Sequence, residues 1–183
     1  YRDNFAKPYN IKYEDKDGTH KYCHQTTYGM SERILGAIVG IHGDNKGIVL
    51  PPVISPIKVV IIPIIFKGKE KEIIEKCREI DKRLKDANID SLVDEREDTP
   101  GSKFYDWELK GVPLRIEIGP KELEKGTLVI ARRDTGERIE IKEDDLIEEV
   151  RRHFDLISEN LYKRAEEFMK ANMVTVDSIE DAK

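Results

Sequence analysis

The run Cys23-His24-Gln25-Thr26-Thr27-Tyr28-Gly29-Met30-Ser31-Glu32-Arg33 carries a β-prone segment into a glycine and then an arginine at the start of a helical pattern. A guanidinium held on the first turn of a helix is a planar cation on a rigid mount. It suits stacking on a planar base and bonding to phosphate oxygens from one position. An ion pair with Glu32 or Asp44 is the structural alternative for the same residue. Signatures of phosphate-cradling loops, dinucleotide folds, zinc proteases and nucleophile elbows are absent. Cys23 and Cys77 are the two cysteines, too far apart for metal-ligand spacing, so no metal site is expected and a reducing cytoplasm is the natural compartment.

The elements that must position such residues follow from the apolar pattern. Ile11-Lys12-Tyr13 and the Tyr- and Thr-rich run Lys21 to Tyr28 flank a charged Asp-Gly turn, which predicts a hairpin. Ser31 is a good N-cap for a helix with Ile34, Leu35, Ile38, Val39 and Ile41 at helical spacing, read as buried. Gly36 and Gly40 would then admit another backbone. The Pro- and Gly-rich stretch 43–57 marks a domain boundary at about 50 to 57. Beyond it, Val59-Val60-Ile61-Ile62-Pro63-Ile64 suits a strand buried on both faces, and Glu70 to Ala87 a helix. Strands follow near 89–94, 114–118, 128–132 and 138–141, with a short helix at 103–110 and a long one at 144–169. The order β-α-β-α-β-β-β-α predicts an α/β sandwich on a mixed sheet.

Several separated segments resemble one family. Gly29-x-Ser31-x-Arg33, the apolar helix and Gly43-Asp44-x-x-Gly47-Ile48-Val49-Leu50-Pro51-Pro52 look like motif 3 of class II aminoacyl-tRNA synthetases. His24 to Gly29, His42 to Asn45, Trp107 to Arg115, Glu117-x-Gly119-Pro120 and Arg132 to Glu137 narrow the resemblance to prolyl-tRNA synthetases of the archaeal and eukaryotic type. The resemblance implies the end of an antiparallel catalytic sheet, a strand plus a buried helix, over residues 1–52. It implies an α/β anticodon-binding domain with a mixed five-stranded sheet over 57–150, and a connecting helix and the start of a C-terminal domain over 151–183. It also implies an ATP- and Mg2+-dependent ligase that makes prolyl-adenylate and passes proline to tRNA(Pro) in the cytoplasm, as a homodimer.

By the same resemblance, Arg33 is the catalytic residue that stacks on adenine and meets the ATP phosphates. Gln25, Ser31 and Glu32 lie with it at the ATP, and Thr27 and Gly29 line the proline pocket. His24 and His42 read as hydrogen-bonded scaffold. In the second domain Glu108, Lys121 and Glu122 have the chemistry to read the two guanines of a proline anticodon. A guanine edge offers N1-H and N2-H donors to a carboxylate and O6 to a cation. Arg115, Lys103 and Phe104 are expected to hold phosphate or stack a splayed base. Glu122 stands where relatives often carry Asp.

Motifs 1 and 2 of the class would lie upstream of Tyr1, so the 183 residues alone are expected not to aminoacylate. The alternative is a non-catalytic tRNA-binding accessory protein that reuses the anticodon-binding fold; the retained Ser31-Glu32-Arg33 argues against it. No apolar run approaches the roughly 18–20 residues that span a bilayer, and no membrane role is expected. The net charge is −5, with 19 Lys and Arg against 24 Asp and Glu in residues 58–150, so no segment is strongly basic. tRNA affinity should therefore rest on a small basic region and fall as salt rises. Titrations across ionic strength check this, and an affinity flat across the series contradicts it.

Overall fold

The computed structural model describes residues 1–66, 68–178 and 180, in two compact units, Tyr1–Gly36 and Ala37–Lys183. In the first, β1 (Lys12–Glu14) and β2 (His20–Tyr22) form the expected antiparallel hairpin, with Lys12 opposite Tyr22. Gly18 takes a positive φ of 76° at its turn, and the Asp17 carboxylate accepts from the Thr19 amide and hydroxyl. The second strand is shorter than the pattern 21–28 predicts. Past Tyr22 a single bridge joins Gln25 to Arg2, and the backbone then runs without a ladder to the helix, because no further strand pairs with it among the described residues.

Helix α1 (Arg33–His42) forms where the 3.6-residue period places it, and the Ser31 hydroxyl accepts from the Arg33 amide at 3.4 Å. It is not the buried helix expected. None of its residues is buried, and Ile34, Leu35, Val39 and Ile41 are exposed. Periodicity specifies a helix, but burial needs a second surface, which no described residue provides. For the same reason Gly36 and Gly40 meet no close backbone: a Cβ at either would lie in open space.

The second unit is built on β3 (Val59–Pro63), all five residues of which are buried. It is followed by α2 (Glu70–Asp86), β4 (Ser91–Val93), α3 (Pro100–Lys110), β5 (Leu114–Ile118), α4 (Pro120–Lys125), β6 (Thr127–Arg132), β7 (Arg138–Lys142) and, after a 3-10 turn, α5 (Leu146–Ala171). The strands lie in the order β4-β3-β5-β6-β7, parallel across the first three and antiparallel thereafter. This is the mixed five-stranded α/β sheet expected. On one face Val59, Ile61, Leu114, Ile116, Leu128 and Ile130 pack with Ile73, Cys77, Ile80 and Leu84 of α2 and with Leu146, Val150, Ile157 and Leu161 of α5. On the other, Val60 and Ile62 pack with Trp107 and Val112 at α3.

Two helix starts carry their signals in the sequence. Thr99 accepts from the Ser102 amide with Pro100 at the first position, which starts α3 three residues before the expected 103. Gly119-Pro120-x-Glu122 starts α4, a six-residue helix that apolar periodicity missed because it has no buried residue. Compact packing divides the chain within α1, upstream of the compositional boundary at about 50 to 57. Residues 48–50 are held in the second unit, where the Ile48 amide donates to the Leu109 carbonyl at 3.1 Å and that of Leu50 to Gly111 at 3.3 Å.

His153 on α5 is 1% exposed, and neither ring nitrogen has a hydrogen-bond partner among the described residues. Burial, reinforced by the Arg152 and Arg132 guanidiniums, holds its pKa below the ordinary 6.5. The unfolded chain therefore takes up a proton below pH 6.5 that the folded chain refuses, and stability present above that pH is lost as it falls. The slope should reach up to about 1.4 kcal/mol per pH unit. Denaturant melts at pH 5.5 and pH 7.5 are expected to differ less in His153→Leu than in the wild type.

Candidate nucleic-acid interface

Alternation along β5 turns Leu114, Ile116 and Ile118 into the core, which leaves Arg115 and Glu117 on the face that α3 only partly covers. The Glu117 side chain, 2% exposed, accepts from Arg115 Nε at 3.0 Å and from Arg138 Nη2 on β7. An unpaired carboxylate at that depth would be costly; two guanidiniums make it tenable. Arg115 is thereby fixed in plane. Its guanidinium lies 4.0 Å from the centre of the Phe104 ring, and its Nη1 is 3.5 Å from Glu108 Oε1. Glu108 has Lys46 Nζ 3.6 Å from its other oxygen. Both contacts are long for hydrogen bonds, so the carboxylate keeps accepting capacity toward an incoming donor. Exposed Tyr105 and Lys46 and half-buried Phe104 and Glu108 border a shallow groove beside it.

Lys121 and Glu122 are not in this cluster. They sit on the first turn of α4, beyond the other end of β5, where Ile64, Phe66, Gly119 and Pro120 line an open hollow. At ~3.3 Å per residue, about 16 Å of strand separates Arg115 from Pro120. One oxygen of Glu122 accepts from the Gly119 amide at 3.0 Å, closing the helix start, and Lys121 makes no ion pair among the described residues.

Lys103 does not lie where phosphate could reach it. It is one helical turn before Trp107 on the inward stripe of α3, is 2% exposed, and donates from Nζ to the Asp94 carbonyl at 2.9 Å. Asp94, Arg96 and Trp107 form the polar knot above it. The Asp94 carboxylate accepts from Trp107 Nε1 at 2.7 Å and from Arg96 Nη2 at 2.7 Å and Nε at 2.9 Å.

In the first unit Arg33 opens α1 with its side chain exposed and, among the described residues, unpaired. The alternative ion pair is not formed: Asp44 is engaged by Arg133, and Glu32 has no ion pair among the described residues. Ser31, Glu32, Thr27 and Gly29 are exposed beside it in sequence, and Gln25 is half-buried at its bridge to Arg2. An uncommitted guanidinium can stack on a planar base and donate to phosphate oxygens.

Reading from sequence missed Asp94, Glu117 and Arg133. The first two were passed over because their buried partners, Trp107 and Arg138, are distant in the chain. Arg133, 3% exposed, lies in the segment 132–137 that carries the resemblance, which assigns it no role. Among the described residues no helix is long and apolar enough to cross a membrane, and no cluster of three His, Cys, Asp or Glu is placed to hold a metal ion.

Comparison with known families matches residues 58–153, from the edge of β3 into α5, to the family described as "Anticodon binding domain". Over its length the chain is similar to the proline–tRNA ligases of Thermococcus kodakarensis, 56% identical over 183 residues, and of Pyrococcus abyssi, 54% identical over 183, each alignment covering 100% of this chain and 38% of the relative. The proline–tRNA ligase of Methanosarcina mazei is 46% identical over 181 residues, covering 99% of this chain and 38% of the relative. The chain thus spans 38% of the length of the curated relatives it matches.

The knot under α3 has a pH signature. Burial pushes the Asp94 carboxyl up, but the bonds from Arg96 and Trp107 outweigh it and bring its pKa from 3.8 to about 2. Its contribution is therefore complete above pH 3.8 and is lost as pH falls toward about 2. Asp94→Asn should cost about 2–3 kcal/mol at pH 7. The gap from wild type should close in acid, as followed by fluorescence of the single tryptophan, Trp107.

Proposed function

The chain belongs to the anticodon binding domain family, and on that premise we propose that it is the anticodon-reading part of a proline–tRNA ligase together with the end of its catalytic domain. The observation that carries the reading is the pair of cation-and-carboxylate sets at the two ends of β5. Arg115 with Glu108 is one, and Lys121 with Glu122 is the other. Each set complements one guanine edge, the carboxylate accepting from N1-H and N2-H and the cation donating to O6. Two adjacent guanines, unstacked as in a splayed anticodon loop, are then read one at each end. The ring of Phe104 is covered on one face by Arg115, so a base stacks on the other.

The activity of the whole protein is part of the same proposal. With ATP and its Mg2+ as substrate, the proline carboxylate attacks the α-phosphorus to give prolyl-adenylate and pyrophosphate, and a 3′-terminal hydroxyl of tRNA(Pro) then takes the prolyl group and releases AMP. In this chain Arg33 holds adenine and phosphate, with Gln25, Ser31 and Glu32 beside it, and Thr27 and Gly29 border the proline. Arg33 contributes by position and charge, so its loss lowers rate more than ground-state binding. The enzyme works in the cytoplasm as a homodimer. A non-catalytic accessory protein is not favoured, since the similarity to proline–tRNA ligases extends over residues 1–57 as well as the anticodon-binding fold.

The test compares binding to a proline tRNA transcript with binding to one whose two anticodon guanines are changed. The guanine anticodon should be preferred, and Glu108→Ala and Lys121→Ala should each reduce the preference by about 1–3 kcal/mol, the scale of one base contact. Equal affinity for the two transcripts is the outcome that defeats the reading.

A further inference from the structure

The turn that follows α1 encloses Glu108 from both ends. Asp44 and Gly47 exchange backbone hydrogen bonds, at 3.0 and 3.1 Å, and Asp44 Oδ1 accepts from the Lys46 amide at 2.8 Å. Gly47, at φ +135°, lies so close to α3 that an added Cβ would come 2.6 Å from the Leu109 Cα. The turn is thus seated on α3 at a position only glycine can take. Asp44 grips Arg133 with both oxygens, at 2.8 and 2.7 Å, and the third nitrogen of that guanidinium, Nε, donates to the Glu108 carbonyl at 2.8 Å. Lys46, from the same turn, faces the Glu108 carboxylate.

We propose that this turn is a working part of the anticodon-reading site, with Asp44 and Arg133 as positioning residues that fix the backbone of Glu108 and Lys46 as the residue that sets the direction of its carboxylate. The proposal rests on the reading of Glu108 as a base-contacting residue. Its physical basis is that a carboxylate discriminates bases only if it is held in place. A shift of about 1 Å removes a bidentate contact to a guanine edge while leaving longer-range attraction to phosphate in place. Arg133 suits this task because its donors are divided between one carboxylate and one carbonyl in a rigid plane, a geometry lysine does not reproduce. The pairing also explains why the turn contributes two charged residues of opposite sign. One serves the carbonyl end of Glu108, through Arg133, and the other serves its carboxylate.

The experiment measures the preference of the full-length protein for the guanine anticodon over the changed one, with melting temperature followed in parallel. Asp44→Asn and Arg133→Lys should each lower the preference about fivefold or more, and affinity for the changed transcript should remain within about twofold of wild type. In a Glu108→Gln background, Asp44→Asn should lower the preference by less than about twofold further, because the two act through one group. Lys46→Ala, at a largely exposed side chain, should leave the melting temperature unchanged and still reduce the preference, which keeps the test decisive if the clamp variants fold poorly. Unchanged preference in all three variants, whatever happens to the melting temperature, overturns the proposal. So does full additivity with Glu108→Gln. If Glu108→Gln itself leaves the preference unchanged, the anticodon reading of Glu108 fails first and the proposal falls with it.

Discussion

A strand with apolar residues on both of its faces must be covered on both, and β3 imposes that requirement on the rest of the second unit. Val59 and Ile61 face α2 and α5, and Val60 and Ile62 face α3. Coverage of this kind is characteristic of parallel strands in α/β folds. It is asymmetric here. Two long helices close one side, whereas α3 alone lies on the other and shields β3 and part of β5. What remains uncovered is the outer part of that face, and strand alternation fills it with Arg115, Glu117 and Arg138 in place of aliphatic residues. The candidate interface is thus a consequence of how the core is closed.

Charge on that face is arranged as a layered network. Glu117 is deepest and is held between Arg115 and Arg138; Arg115 then leans on Phe104 and approaches Glu108. Each level orients the one above it, so the outermost carboxylate needs few bonds of its own. Buried ionic groups of this kind contribute little net stability compared with apolar packing. Their value lies in fixing where the exposed members point, which is what discrimination between similar planar ligands requires.

How far the sequence revealed this can be judged element by element. The central strand, the helices α2 and α5 and the 114–118 strand were legible because their apolar spacing matches their period. Lys103 reads as a surface cation by side-chain type, yet it lies four residues from Trp107 and so on the same inward stripe of α3, where it is buried. Burial of α1 was expected from its period alone, yet a period does not say whether a covering surface is at hand. Asp44, Arg133 and Glu108 are 25 and 89 residues apart in their pairings, and no local pattern encodes a contact of that range. A resemblance of whole segments located these residues in a family but assigned them no contacts.

On the proposed reading the partner is a polyanion while the net charge is −5, so the chemistry of recognition has to be separated from that of attraction. Guanine is distinguished at its Watson–Crick edge by groups that accept hydrogen bonds, and carboxylates are the strongest acceptors a protein has. A surface that reads guanines with glutamates therefore carries negative charge where it binds. Long-range repulsion from the phosphate backbone then penalises every nucleic acid that does not supply the matching donors, a form of selection against the wrong partner. Local cations at Lys46, Arg115 and Lys121 offset that repulsion only beside the reading groups. On the proposed reading the acidity of the domain is then a source of selectivity, because attraction is confined to the groups beside the bases.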